Sequence, residues 1–380
     1  MPTTPSGGES FATRVFALSS AQPPVEHHIR NDTARRDDAR QRLRALIDAN
    51  WTTQAIAATV RLRLPDLLMD GAQTVEVLAS QASCHPPSLL RLLRALTSIS
   101  IVSQSEDGRF EMTETGRLLA ADAPGSLSAW AELCGTTSWN AWGRLYECVR
   151  TGTSARKQDS GAGGFDHLAK DDVAALLFNR AMVGLSRPVA VSVAAEVDFT
   201  GVQRVVDVGG GFGELIAAVL SCHPGMNGVL LDMGHAINRA HDFLAAAGVA
   251  DRCELIAGDF FEAVPAGADV YVLKSVLHDW DDEQCEAILV NCAKAMSTNA
   301  RLLIVERLMP EHFEDSSHDR GIARGDLNML IAQDGRERTH KEYRALLRAA
   351  SLRLTKSLAL SSGFDVLTAE RWCHEVNPES

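Results

Sequence analysis

The stretch Val205–Leu220, VVDVGGGFGELIAAVL, decides the fold. It opens as a short apolar run of strand type and closes as an apolar helix, with Gly209, Gly210, Gly211 and Gly213 in the turn between. Glycine permits positive φ and lets the backbone come close to a ligand. A helix that starts at such a turn presents free N–H groups to a carboxylate or phosphate. A dinucleotide fingerprint would need G-x-G-x-x-G. Counted from Gly209 the last position is Glu214, and counted from Gly211 it is Ile216, so that pattern fails.

Downstream, short apolar runs alternate with helical stretches: GVLLDM, CELIAGDF, DVYVLKSVL and RLLIVERL. Such alternation predicts a mostly parallel sheet with crossover helices. Asp232 closes GVLLD, where an acid can accept hydrogen bonds from a ribose hydroxyl pair. Asp259 and Phe260 close CELIAGDF, a pair suited to the amino group and the face of an adenine. Each acid alone reads equally as a helix cap. Three successive strands ending this way point to a ligand, because open α/β sheets bind ligands at strand C-termini. The set Asp207, Gly209, Gly211, Gly213 (D-x-G-x-G-x-G) fits the nucleoside-binding turn of S-adenosylmethionine (SAM) methyltransferases.

The run VYVLKSVLHDWDDEQ (Val270–Gln284) starts as a core strand and delivers Lys274, His278, Asp279 and Trp280 to its C-terminal edge. Asp281 and Gln284 have the spacing of a capping box for the helix that follows. Trp280 reads as packing.

Upstream, residues 1–40 read as a flexible tail. Residues 41–125 carry helical apolar sets (Leu43, Leu46, Ile47; Ile56, Val60, Leu64), two short helices, and a two-stranded wing turning at Glu106-Asp107-Gly108. This winged-helix pattern raises DNA binding, and Arg91 and Arg94 lie on its second helix. That helix is dense in leucine and the chain carries net charge -12, so dimerisation or packing is the better reading. Residues 126–197 read as a helical linker region, with a Gly/Ser-rich break at TGTSARKQDSGAGG. Residues 198–375 form the Rossmann-like domain.

The 380 residues are enough for two domains, and 46% hydrophobic with 23% charged content is that of an ordinary soluble globular protein. No apolar run reaches the roughly 18 residues of a membrane span, and no signal-peptide pattern opens the chain, which reads as cytoplasmic. The eight cysteines form no C-x-x-C pair and no zinc-spaced cluster; they read as reduced and mostly buried, with no metal expected.

LPDLL, LLRLLRAL, FEMTETGRLLA, DVGGGFGELIAAVL, GDFFEAVP, LKSVLHDWDDEQC, IVERLMP and DLNMLIAQDGRERT together resemble the plant caffeic-acid and bacterial natural-product O-methyltransferases, over about Arg42 to Glu370. The resemblance implies a SAM-dependent Rossmann-like domain and a homodimer formed through the N-terminal winged-helix domain. It implies an aromatic acceptor, while the net charge of -12 and the lack of a long apolar run speak against a nucleic-acid or membrane partner. By the same resemblance His278 matches the general base, flanked by Glu306 and Glu337. Asp207, Gly209, Gly211, Asp232, Asp259, Phe260, Lys274, Ser186 and Arg187 fall at the cofactor site. Met182, Trp139 and Asp279 fall at the acceptor.

The chemistry agrees. A phenol with pKa near 10 is mostly protonated at neutral pH, and a histidine can take its proton during attack. A carboxylate on the other ring nitrogen fixes the tautomer. A relative that binds SAM but catalyses hydroxylation, decarboxylation or a pericyclic step is the alternative, as is methylation of nitrogen or a carboxylate. A ligand-sensing winged-helix regulator is a third reading. One departure is local: Ser351 stands where a glycine is expected.

Overall fold

The computed structural model describes residues 24–161, 165, 168 and 171–372. The chain divides between Thr52 and Thr53 into two compact units. In the first, Pro24–Asp48 is one helix. Of the span expected as a tail, residues 24–40 belong to this helix, and residues 1–23 lie outside the described part. The sequence shows no apolar stripe before Leu43, which is why that span reads as a tail. Leu43, Leu46 and Ile47 share one face of that helix and are 58%, 65% and 67% exposed in the single chain.

The second unit opens with the winged-helix module. Val75–Gln81 is capped by Thr74, whose hydroxyl accepts the Val77 N–H. Pro86–Ser98 starts on two prolines, whose missing N–H groups a first turn does not need. It buries Leu89, Leu93 and Leu96, at about 1.5–3 kcal/mol per side chain, and leaves Arg91 and Arg94 exposed. β1 (Val102–Gln104) and β2 (Phe110–Met112) pair antiparallel around the Gly108 turn. With Leu64, Leu68, Leu78 and Phe110 these helices close a core of their own.

Helices Ser128–Gly135, Thr137–Trp142, Leu145–Thr151 and Ala155–Ser160 follow. The Gly/Ser break holds the Ala155–Ser160 helix, capped by Ser154; residues 162–164 lie outside the described part. Asp172–Glu196 is one long helix, capped by Asp171 through the Val173 and Ala174 N–H groups.

The sheet is built from β3 (Arg204–Val208), β4 (Asn227–Asp232), β5 (Cys253–Ala257), β6 (Val270–Lys274) and β7 (Arg301–Glu306). β8 (Leu308–Met309) and β9 (Arg338–Thr339) form a small parallel pair beside it. β10 (Leu352–Ala359) and β11 (Asp365–Arg371) complete it, giving the order β10-β11-β7-β6-β3-β4-β5. β3 to β7 are parallel, whereas β11 pairs antiparallel with both β7 and β10. Two apolar layers fill the faces, one around Leu215, Leu230 and Val272, the other around Tyr271, Ile288 and Ile304. The strand order reverses between β3 and β6, so the glycine turn and Lys274 flank the switch point where open α/β sheets take ligands.

Candidate active site

Two groups of side chains meet at that edge. The first is a tether around His278, which lies in a single 3-10 turn, Leu277–Asp279, after β6. His278 Nδ1 lies 3.1 Å from Glu306 Oε2 and 3.5 Å from Glu337 Oε1. Nε2 faces Asp279 Oδ1 at 3.8 Å. Glu306 ends β7, and its other oxygen accepts the backbone N–H groups of Val276, Leu277 and His278 at 3.1, 3.0 and 3.4 Å. One carboxylate thus holds both the ring and the backbone of the turn. Oε2 has no other hydrogen-bond donor, so a proton on Nδ1 satisfies it.

Glu337 reaches the ring because β8, just after Glu306, pairs with β9, just after Glu337. The Glu337 N–H donates to Asp326 Oδ1 at 2.9 Å. Gly325 on the Ser317–Ala332 helix leaves room, for a Cβ there would stand 3.2 Å from Glu337 Oε1.

Electrostatics follow from this packing. Burial opposes a charged His278, but Glu306, Asp279 and Glu337 outweigh it and raise its pKa well above the ordinary value. Burial likewise opposes ionisation of Glu306, yet His278 and Lys274 hold its pKa below the usual range. Asp279 is pushed up to about 7, by burial first and by Glu306 and Glu337 next, with His278 opposing.

The second group surrounds the glycine turn. Gly209, Gly211 and Gly213 have φ of 73°, 63° and 90°, the left-handed region that a side chain disfavours. A Cβ on Gly209 would stand 3.0 Å from Val276 Cγ2 and 3.3 Å from Phe260 Cε1. Asp232 accepts the Gly211 N–H at 2.7 Å on one oxygen and the Met233 N–H at 2.7 Å on the other. Asp259 accepts the Phe261 N–H at 2.8 Å, holding Phe260 beside the turn. Phe261 stacks edge-on against Trp280 with centroids 4.8 Å apart, so Trp280 packs as expected. Lys274 Nζ donates to Ser186 Oγ at 2.8 Å. Burial lowers the Lys274 pKa against the pull of Asp207, Glu306 and Asp279. Burial also pushes Asp207 up to about 7, with Lys274 opposing. Arg187 pairs with Glu214 at 2.8 Å, at the first turn of the Glu214–Cys222 helix.

This cradle fits a nucleoside cofactor. Asp232 uses one lone pair on each oxygen, leaving capacity for a ribose hydroxyl pair. The bare backbone at Gly209 beside Phe260 suits a flat base.

Met182, four positions before Ser186, shares its helix face and is half-buried. Trp139 is half-buried on Thr137–Trp142, which packs against Ser317–Ala332. Neither touches His278 in any described polar contact. Trp142 packs with Cys148, Ala155 and Ile331.

The chain matches the O-methyltransferase domain over residues 142–353 and the O-methyltransferase dimerisation domain over residues 45–122. It belongs to the O-methyltransferase family. The phenazine O-methyltransferase PhzM of Lysobacter antibioticus is 36% identical over 85% of this chain and 94% of its own length. The solved mitomycin 7-O-methyltransferase MmcR superposes with a TM-score of 0.81 at 36% identity, covering 89% of this chain and 99% of that one. NcsB1, an O-methyltransferase from neocarzinostatin biosynthesis solved with SAM and 2-hydroxy-5-methyl naphthoic acid, gives 0.72 at 30% identity over 84% and 96%.

In this O-methyltransferase several functional contacts escape the sequence reading. Arg338 is fully buried behind the His278 turn, although a third charge in GRERT reads as surface. Asn291 donates to the carbonyls of Phe260 and Phe261 at 3.1 and 2.8 Å, and nothing in its helix marks it. Glu214 gives itself away only as the acid opening the helix after the glycines. Seven cysteines are described and none is in a disulfide; Cys148, Cys285 and Cys292 are buried and Cys222 is exposed, while Cys373 lies outside the described residues. No helix among the described residues is long and apolar enough to cross a membrane.

Proposed function

We propose that this O-methyltransferase methylates a phenolic hydroxyl of an aromatic natural-product acceptor, with His278 as general base. The observation that carries this is the tether: Nδ1 is held by Glu306, which leaves Nε2 to the acceptor side beside Asp279. Named relatives that act on phenazine, mitomycin and naphthoate frameworks support the acceptor class.

Asp232 holds the ribose and Asp259 with Phe260 the adenine; Gly209 and Gly211 admit the cofactor to the backbone, and Lys274, Ser186 and Arg187 stand on its methionine side. Asp207 supports the turn from beneath. When bound, SAM supplies an electrophilic methyl group. His278 Nε2 takes the hydroxyl proton as the acceptor oxygen attacks, and Glu306 stabilises the resulting imidazolium through Nδ1–H. Glu337 shares that charge, Asp279 orients the acceptor hydroxyl, and Met182 and Trp139 pack against its ring. Alignment of oxygen and methyl supplies most of the acceleration, because in-line displacement demands geometry above all.

No step calls for a metal. The domain bounds 41–125, 126–197 and 198–375 serve as dimerisation module, acceptor wall and SAM-binding domain. The exposed face of Leu43, Leu46 and Ile47 supports a homodimer. The enzyme works in the cytoplasm, without a nucleic-acid or membrane partner.

Incubation with methyl-labelled SAM and a panel of phenols, naphthols and hydroxybenzoates tests this. Label in the product supports O-methylation; product formed without label places the chain with SAM-binding relatives that do other chemistry.

A further inference from the structure

We propose that Arg338 is the positioning residue of His278, clamping the turn that carries it from both ends. Its guanidinium is 0% exposed and reaches four groups, one of them Arg336 O of its own loop at 3.4 Å. Nη1 donates to Leu277 O at 2.8 Å, the residue before His278. Nη2 donates to Trp280 O at 2.7 Å, just past Asp279. Nε and Nη2 both donate to Asp282 Oδ1, at 3.0 and 2.8 Å, at the start of the next helix. The planar fork therefore spans the turn and pins it to the Asp282–Ala295 helix, with the geometry that arginine alone among cations provides.

A second contact has the same effect from the same loop. Gly335 lies so close to the turn that a Cβ there would strike His278 O and stand 2.6 Å from Asp279 C. Glu337 sits between Gly335 and Arg338 and meets Nδ1. One segment, Gly335 to Arg338, thus sets the backbone of the turn and supplies one of its carboxylates.

The inference rests on the reading of His278 as base. Mispositioning a reacting group by about 1 Å costs about 10²-fold. The experiment compares full-length wild type, Arg338→Met, Arg338→Lys and His278→Gln. Turnover is measured with a phenol that wild type methylates, S-adenosylhomocysteine affinity by calorimetry, and His278 titration by ¹³C NMR of labelled histidines, the His278→Gln spectrum assigning the signal. The groups facing the ring are Glu306, Glu337 and Asp279, so release of the turn weakens the carboxylate pull.

We expect Arg338→Met to lose about 10²-fold in kcat, to keep acceptor KM and S-adenosylhomocysteine affinity within about twofold, and to titrate His278 at lower pH; Lys recovers part of the loss. An unchanged kcat and titration, or a loss of S-adenosylhomocysteine affinity in step with kcat, overturns the clamp. If Arg338→Met does not fold, Gly335→Ala, which leaves every buried charge in place, must show the same pattern, and normal turnover there overturns it. Full activity of His278→Gln would instead sink the base itself and the clamp with it.

Discussion

Glu306 holds His278 twice, by the ring at 3.1 Å and by the backbone N–H at 3.4 Å. The neutral ring is the base, so turnover rises as pH climbs through the His278 pKa. Because Glu306, Asp279 and Glu337 raise that pKa, the rise comes above the ordinary histidine value of 6.5. Glu306→Gln keeps an acceptor for the turn but removes the charge. We predict about 10²-fold lower kcat, and a pH profile whose acid limb moves to lower pH. Steady-state rates from pH 5 to 10 read both.

Gly209→Ala places a Cβ at φ 73° and against Val276 and Phe260. The predicted outcome is at least about a tenfold rise in the S-adenosylhomocysteine Kd, with the folded domain retained, since strain of this type costs about 1–3 kcal/mol. Calorimetry checks the first and circular dichroism the second.

Ser351 has φ 59°, which a glycine adopts without strain. Ser351→Gly should stabilise the protein by about 0.5–1 kcal/mol, the relief of left-handed strain less the entropy glycine adds. Denaturant midpoints compared with wild type measure it, and a lower midpoint for the variant contradicts the assignment.

Leu46→Glu with Ile47→Glu puts charge on an apolar face that is exposed in the single chain. We expect wild type to run at twice the 41.0 kDa chain mass in light scattering, and the variant at 41.0 kDa.

His278, Glu306 and Glu337 are, among the described residues, the one set whose ligand atoms would suit a metal, all within 4.8 Å. Nδ1 is already satisfied by Glu306, so chelation with EDTA should leave kcat within twofold of untreated enzyme. A loss restored by zinc or another divalent ion would contradict the proton-transfer reading.

β3, β4, β6 and β7 were legible because they are buried on both faces and read as near-continuous apolar runs, two of them ending in an acid. The turn glycines, the capping box at Asp281 and the wing around Gly108 were legible through local chemistry. The meeting of Glu306 with Glu337 was not, since it depends on the two-residue ladder Leu308↔Arg338 and Met309↔Thr339, too short to leave a period. Resemblance alone joined them. The β10-β11 hairpin was hidden for another reason: in LRLTKSLA the apolar alternation lapses at Lys356, where the register also shifts after Leu354. Arg338 was hidden because a charged residue in a polar run signals surface, whereas the carbonyls of Leu277 and Trp280 and the Asp282 carboxylate account for its place.

The central claim is that His278 is the base for methyl transfer to oxygen. The most direct measurement is label transfer from methyl-labelled SAM to a phenol by wild type and by His278→Ala, with S-adenosylhomocysteine affinity measured on both. The account predicts label in the product for wild type, a loss of 10²-fold or more in the variant, and equal affinity. Undiminished transfer by His278→Ala would contradict it.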